Sequence, residues 1–152
     1  SNGSIIPRLH EIGKNPDYNE LQLTHERMTR FVMTLEQSVE LIEYAILNAE
    51  SGDTVISELV SLRVKDLIEI FSEKYNKPIR LSGLRPGEKL LESLINESQS
   101  GRIEKHGKYI HIKSVFNYSK PIDVELLRDY NSTINPLTKN ELKQYLCDLD
   151  LL

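Results

Sequence analysis

The period of apolar and polar positions changes several times along this chain of 152 residues, and each change marks an element. From Ser4 to Ile12 the apolar Ile5, Leu9 and Ile12 share one helical face, with Ser4 placed as a cap and Pro7 in a first turn that tolerates it. Gly13 to Asn19 reads as a loop. Leu21-Gln22-Leu23 alternates as a short strand, His25 to Thr29 is polar and irregular, and Arg30-Phe31-Val32 follows. Thr34 with Gln37 three residues on is a capping-box pattern, and the helix it opens is the clearest in the chain, with Val39, Ile42, Ala45, Ile46 and Ala49 at helical spacing. Ser51-Gly52 is expected to end it, the glycine serving as a left-handed cap. Thr54-Val55-Ile56 is a strand candidate.

A second amphipathic helix is predicted over Val64 to Tyr75, with Val64, Leu67, Ile68 and Phe71 inward, and Asn76-Lys77-Pro78 breaks it. Ile79-Arg80-Leu81 alternates as a strand and runs into Leu84-Arg85-Pro86-Gly87-Glu88-Lys89. Leu90, Leu91, Leu94 and Ile95 then suit a third helix. Asn96 to Gly107 is polar and is expected to be mobile. Tyr109 to Ile112 alternates as an edge strand, and Asn117 to Asn135 lacks periodicity and is expected at the surface. Thr138 and Glu141 form another capping box, before a C-terminal helix marked by Leu142, Tyr145, Leu146 and Leu149. The sum is a mixed α/β assembly of about four helices and four or five short strands.

Composition narrows the function classes. A 39% hydrophobic and 28% charged balance is that of an ordinary globular chain, long enough for one domain with a real core. The formal net charge of -4 and the scattered basic residues argue against a nucleic-acid binder. No apolar run approaches the roughly 20 residues of a membrane helix, and the N-terminus carries no signal-peptide pattern. The single cysteine, Cys147, excludes an internal disulfide and a cysteine-based zinc site, and suits a reducing cytoplasm. The four histidines are not spaced as a metal pair.

The candidate chemistry centres on the turn at Arg85. A strand that ends in a Pro-Gly turn places its turn residues where open α/β sheets bind ligands, at the carboxyl ends of strands. Arg85 offers a fork of donors suited to phosphate oxygens. Glu88, three residues on, accepts hydroxyl protons such as those of a ribose diol. A loose surface ion pair accounts for the same two residues. Arg30 is the second cation considered: with Arg85 it would clamp a diphosphate from two sides, and otherwise it is a solvated charge or pairs with a carboxylate. Tyr109 and Lys113 match the Tyr-x-x-x-Lys acid/base pair of short-chain dehydrogenases, but β-branched Ile110 and Ile112 favour a strand. There the two would stand roughly 13 Å apart rather than together on a helix. The seven glycines form no G-x-G-x-x-G loop, and no G-x-S-x-G elbow occurs.

Three stretches in order carry a family likeness: Gly3-Ser4-Ile5-Ile6-Pro7, then Met28-Thr29-Arg30-Phe31-Val32-Met33-Thr34-Leu35-Glu36-Gln37, then Leu84-Arg85-Pro86-Gly87-Glu88-Lys89-Leu90. The chain resembles the C-terminal, substrate-binding portion of extended short-chain dehydrogenase/reductases. It is most similar to the inverting UDP-N-acetylglucosamine 4,6-dehydratases of the polysaccharide-biosynthesis, capsule-protein-D-like group. The tail at Asp129-Tyr130-Asn131-Ser132, with Leu137-Thr138 and Glu141-Leu142, resembles the end of such proteins. His25-Glu26-Arg27 departs from the pattern usual before Met28.

The resemblance implies one sugar-nucleotide-binding domain over residues 1–152, with 117–152 as a C-terminal tail and helix. It implies that Arg30 and Arg85 bind the diphosphate and Glu88 the ribose hydroxyls. Ser4, Ile5, Leu21, Gln22 and Leu23 match positions that line the uridine and sugar pocket, largely through backbone groups. It implies a UDP-sugar substrate, with NAD or NADP held by a Rossmann half N-terminal to Ser1 and a homo-oligomeric parent. In such enzymes hydride leaves sugar C4, water is lost across C5 and C6, and hydride returns to C6, giving a 4-keto-6-deoxy sugar for capsule, O-antigen or flagellin sugars. A nucleotide-sugar epimerase or reductase, or a non-catalytic interaction module of the same fold, remains the alternative.

Overall fold

A computed structural model describes residues 4–123, 125 and 127–152; Gly3 of the first motif lies outside them. The order of elements is α1 (Ile5–Lys14), β1 (Leu21–Leu23), β2 (Thr29–Val32), α2 (Leu35–Asn48), β3 (Thr54–Ser57), β4 (Val60–Arg63), α3 (Val64–Tyr75), β5 (Ile79–Leu81), β6 (Ser93–Ile95), α4 (Glu97–Ser100), β7 (Ile103–His106), β8 (Tyr109–Ile112), β9 (Tyr130–Asn131) and α5 (Lys139–Asp148). The fold is the mixed α/β class that the sequence predicts, with its strands divided among four small sheets. β1 pairs in parallel with β5, in register Gln22 with Arg80. β2 pairs antiparallel with β4, β6 with β9, and β3-β8-β7 form a three-stranded antiparallel sheet.

The main core is built around α3. Its periodic residues Val64, Leu67, Ile68, Ile70 and Phe71 are buried and meet Leu9 of α1, Leu21 and Leu23 of β1, Leu62 of β4, and Leu142 and Leu146 of α5. Asn76 stops α3 in the left-handed conformation at φ 51°, which asparagine tolerates. His10 closes the seam: its Nδ1 lies 2.5 Å from the Tyr75 hydroxyl and its ring meets Phe71 edge-on at 4.9 Å. The helix α1 continues through Gly13 and Lys14, two residues into the predicted loop, because Gly13 lets the helix lie directly on the Tyr75 ring.

Several expectations are corrected. Leu90 to Ile95 is not a helix. The Leu90 carbonyl accepts from the Thr29 N–H at 2.9 Å, and Ser93–Ile95 is a strand whose Ile95 is buried against Ile110 and Ile112. Cross-strand pairing with β9 and β2 outweighs helical spacing over so short a run. Asn96 to Gly107 is structured: Asn96 and Gln99 make a capping box for α4, and β7 follows. Tyr109–Ile112 is the central strand of its sheet rather than an edge, with β3 and β7 on either side. α2 is capped by Ala49, and Gly52 takes its positive φ of 88° in the turn beyond. Ser4 holds the cap position of α1 without a side-chain hydrogen bond. The strand β4 and the short β9, inside the stretch without periodicity, had no counterpart in the sequence reading.

The capping box of α2 is formed as the sequence predicts, with the Gln37 N–H donating to Thr34 Oγ1 and the Thr34 N–H to Gln37 Oε1. Its apolar face is nonetheless uncovered. No α2 residue is buried, and Leu35, Ile42, Ile46 and Leu47 are between 58% and 81% exposed.

The three-stranded sheet holds a polar knot. The Asp53 carboxylate is buried, accepts from Lys113 Nζ at 2.6 Å and from the Ser114 N–H at 3.0 Å, and faces His111. Burial opposes ionisation of Asp53, but Lys113 and the N–H groups of Ser114 and Glu50 hold its carboxyl below the ordinary range. Lys113 is correspondingly raised by Asp53 and Glu50. His111, 4% exposed and 3.1 Å from the Tyr44 hydroxyl, is kept neutral: burial and the neighbouring His106 lower its pKa. A folded pKa below the ordinary 6.5 means that the unfolded chain takes up a proton the folded chain refuses, so stability drains away as pH falls through that value. Melting temperature is expected to drop between roughly pH 7 and 5, and His111→Gln to flatten that drop. Parallel slopes for the two proteins in scanning calorimetry would exclude His111 as its source.

Candidate functional site

β1 and β5 form the one parallel pair among the described strands, so their carboxyl ends face the same way. The chain leaves β5 with the Ser82 N–H donating to the Leu23 carbonyl at 2.9 Å. It then turns through Gly83 at φ 81° and reaches the Arg85 turn. That turn is closed on itself. The Arg85 N–H donates to Glu88 Oε2 at 3.1 Å, the Glu88 N–H donates back to the Arg85 carbonyl at 3.0 Å, and Gly87 takes φ 83°. A residue with a Cβ is strained at that φ, so the Pro86-Gly87 pair is what allows so tight a turn.

Alongside β1, from Tyr18 and Glu20 before the strand to Thr24, Ser82 and Arg85 past the carboxyl ends, lies a cavity of about 200 Å³. Ile5, Arg8, Leu9 and Ile12 of α1 form one wall, with Tyr18, Glu20, Gln22 and Thr24 from β1 and its flanks. Ser82, Arg85 and Ile68 complete it. Gln22 faces it because alternation in β1 sends Leu21 and Leu23 into the core. Glu20 at its rim is held by Arg80 at 3.0 Å.

Of the eight residues named from sequence, Ile5, Gln22 and Arg85 meet in this cavity, from positions about 20 and 60 apart in the chain. Leu21 and Leu23 have buried side chains, and their backbone groups serve the pairing with β5: the Leu21 N–H donates to the Pro78 carbonyl and the Leu23 carbonyl accepts from Ser82. Ser4 borders a neighbouring, larger cavity of about 520 Å³ between α1, α5 and the Phe31–Glu36 stretch. That space is lined mostly by apolar side chains, with Ser4, Thr34, Glu36 and Tyr145 among them. It holds neither Arg30, Arg85 nor Glu88, so its size does not make it the site. Burial raises the Tyr145 phenol pKa there.

Arg30 lines neither space. Its guanidinium donates to the carbonyls of Thr29 at 2.7 Å and Lys89 at 2.7 Å, and its Nε lies 3.6 Å from Glu92. It therefore touches the chain directly after Glu88 and braces the turn from behind. A second tie fixes the same segment: Ser132, fully buried, accepts from the Glu92 N–H at 3.0 Å and meets Thr29 Oγ1 at 2.7 Å. Lys113 and Tyr109, the Tyr-x-x-x-Lys match, lie along and just beyond strand β8. Lys113 is committed to Asp53 and Glu50, and Tyr109 stacks on Tyr44 at 3.7 Å. The pair is structural.

Sequence reasoning missed Arg8, Tyr18, Glu20, Thr24 and Ser82. Two signals pointed to them: Arg8 stands three residues after Ile5 on a helix, hence on its face, and Glu20 and Thr24 continue the alternation of Gln22.

Residues 1–114 match the family model described as polysaccharide biosynthesis protein. The chain belongs to that family. With UDP-sugar epimerases among its relatives, the family is an extended short-chain dehydrogenase/reductase-like group of nucleotide-sugar enzymes. A UDP-glucose 4-epimerase of Rickettsia felis is 34% identical, the match covering 99% of this chain and 47% of the epimerase. An uncharacterized membrane protein of Methanocaldococcus jannaschii is 41% identical across 69% of this chain and 34% of its own length. An X-ray structure of Pen from Bacillus thuringiensis superposes with a TM-score of 0.84 at 29% identity, covering 100% of this chain and 48% of that one. The chain thus spans about half the length of these relatives, or less. Among the described residues no helix is long and apolar enough to cross a membrane.

Proposed function

We propose that this chain is the substrate-binding portion of a nucleotide-sugar enzyme, and that the cavity alongside β1 receives the nucleotide end of a UDP-sugar. The observation that supports this most is the meeting of Ile5, Gln22 and Arg85 in one cavity alongside the parallel pair. Arg85 presents its fork to a phosphate, Gln22 offers both an amide donor and an acceptor, and Ile5 supplies an apolar wall. Glu88 holds the turn in shape through the Arg85 N–H and is not among the residues that line the cavity. Arg30 acts from behind the turn, which it braces through the Thr29 and Lys89 carbonyls.

The reaction proposed for the parent is the 4,6-dehydration of UDP-N-acetylglucosamine, in the cytoplasm, for a surface polysaccharide. The names of the Rickettsia relatives favour a second reading, C4 epimerisation of a UDP-hexose. The two differ in mass balance: dehydration releases one water, whereas epimerisation releases nothing. Mass spectrometry of the product made by the full-length parent from UDP-N-acetylglucosamine and from UDP-glucose separates them. A product lighter by one water supports the first, and an isomer the second.

The chain offers no G-x-G-x-x-G cradle, so its residues do not fit a dinucleotide. NAD or NADP is assigned to the rest of the parent. That remaining portion is also the proposed cover for the α2 face, since Leu35, Val39, Ile42 and Ile46 form an apolar stripe that a protein in water rarely leaves bare. Assembly of the parent into a homo-oligomer belongs to the same proposal.

Arg85→Ala in the parent is expected to weaken UDP-sugar binding about tenfold or more, the worth of one bidentate charge-assisted contact. Unchanged affinity in isothermal titration would remove Arg85 from the site.

A further inference from the structure

One buried hydroxyl fastens the far base of the Arg85 turn, and it comes from the tail of the chain. β6 and β9 pair antiparallel with Ser93 opposite Asn131, so the next opposed pair on that ladder is Glu92 with Ser132. The Ser132 N–H donates to the Glu92 carbonyl at 2.8 Å, as a paired strand would. The return bond differs: the Glu92 N–H donates to Ser132 Oγ at 3.0 Å. The side chain thus stands in for a backbone carbonyl and ends the ladder at this pair. The same Oγ lies 2.7 Å from Thr29 Oγ1, and Ser132 is wholly buried. Thr29 in turn donates its N–H to the Leu90 carbonyl at 2.9 Å, and its own carbonyl accepts from the Arg30 guanidinium at 2.7 Å. Ser132 therefore joins three segments: β2, the tail, and the stretch that leads from the Arg85 turn into β6.

The two ends of the turn are anchored by different means. On the β5 side the Ser82 N–H holds the Leu23 carbonyl at 2.9 Å, continuing the parallel pair. On the far side the anchor is the Thr29–Ser132 hydroxyl pair, and between the two the turn is closed on itself through Arg85 and Glu88. Without the Ser132 hydroxyl, the Glu92 N–H and the Thr29 hydroxyl lose their partner. A donor left unpaired inside a protein is costly, and movement of the segment that carries it relieves the cost. That segment runs straight back to Glu88 and Arg85. We infer that Ser132 is a positioning residue for Arg85, acting through Thr29 and Glu92, so that the tail beyond the family-matched residues 1–114 sets the aim of a side chain in the candidate site. Its effect on binding rests on the reading of the cavity as a nucleotide site; its effect on the turn does not.

The test uses the full-length parent, with UDP as the titrated ligand. Ser132→Ala, Thr29→Val and Thr29→Ser are compared with Arg85→Ala after circular dichroism melts confirm that each folds. Thr29→Val keeps the shape and loses the hydroxyl, whereas Thr29→Ser keeps the hydroxyl. Hydrogen exchange read by mass spectrometry is expected to quicken over residues 83–92 more than over α3 in Ser132→Ala and Thr29→Val, and to stay near the wild-type rate in Thr29→Ser. UDP should bind about fivefold more weakly to Ser132→Ala. In an Arg85→Ala background the same change should cost no further affinity, because the side chain it positions is gone; a general loss of structure would add in full. Wild-type exchange over residues 83–92 in Ser132→Ala overturns the inference. So does UDP affinity that Ser132→Ala leaves unchanged where Arg85→Ala weakens it, or a loss that adds in full to that of Arg85→Ala. Should Ser132→Ala not fold, Thr29→Val decides on the same readings. If exchange quickens as expected while Arg85→Ala binds UDP as tightly as the wild type, Ser132 stands as the anchor of the turn and the nucleotide reading fails. If Arg85→Ala weakens UDP but Ser132→Ala changes neither exchange nor affinity, the nucleotide reading stands and Ser132 fails.

Discussion

Phe71→Ala is expected to cost about 3–5 kcal/mol, the upper range for truncating a buried side chain. Phe71 is wholly buried at the middle of α3, where it meets the edge of the His10 ring at 4.9 Å and lies next to Tyr75. Removing the ring leaves a cavity at the point where α1 and α3 cross. The surrounding side chains, Leu9, Leu67 and Ile70 among them, come from elements already pinned by hydrogen bonds and cannot collapse into it. α1 carries Ile5 and Arg8 into the candidate site, and Ile68 of α3 lines its floor, so the site should loosen with the core. Urea denaturation followed by circular dichroism measures the loss. A change below about 1.5 kcal/mol, the size of a tolerated volume-conserving swap, would mean that Phe71 is not packed as described.

Gly13→Ala is the second large effect, and its sign is opposite to helix propensity. Gly13 sits in the last turn of α1, where alanine should stabilise by roughly 0.5–1 kcal/mol if nothing stood in the way. Here a Cβ would fall within 2.5 Å of Cγ of Tyr75. The Cγ atom is near the root of the side chain and cannot swing aside, and the Tyr75 hydroxyl is tethered to His10. The two helices must part, at a cost of about 1–3 kcal/mol. Because that movement shifts the wall bearing Arg8, ligand affinity should fall along with stability. Gly13→Ala combined with Tyr75→Phe keeps the ring and loses only the hydroxyl tether; if this double variant regains most of the loss, the tether rather than the ring is the obstacle. An alanine variant as stable as the wild type would show that α1 and α3 do not approach so closely.

How much of this was legible beforehand varies by element. α3 was readable residue by residue, because Val64, Leu67, Ile68 and Phe71 repeat at helical spacing and Asn76-Lys77-Pro78 ends the run. The capping boxes at Thr34 and Thr138 were readable for a similar reason: a cap is made within four consecutive residues. The strand β1 followed from alternation alone. The run Leu90 to Ile95 was misread because its partners, Thr29 and Tyr130–Asn131, lie dozens of residues away, and local spacing holds no record of them. The same holds for β4, whose partner is β2, and for the central place of Tyr109–Ile112 in its sheet.

In the site, sequence pointed to Arg85, Gln22 and Ile5, and the fold gathers these three around one space. It paired Arg85 with Arg30, whereas the fold sets Arg8 at the same cavity and turns Arg30 toward the backbone. Arg8 carries no mark in the sequence beyond being three residues from Ile5.

What the sequence determined by itself, then, is whatever depends on neighbours within one or two helical turns: the helices α1, α2, α3 and α5, the capping boxes at Thr34 and Thr138, and the Pro-Gly turn. Which strands pair, which apolar face is covered, and which side chains share a cavity were decided by tertiary packing. Those outcomes depend on contacts between residues far apart in the chain, whose free energy is gained only once the core around α3 has formed.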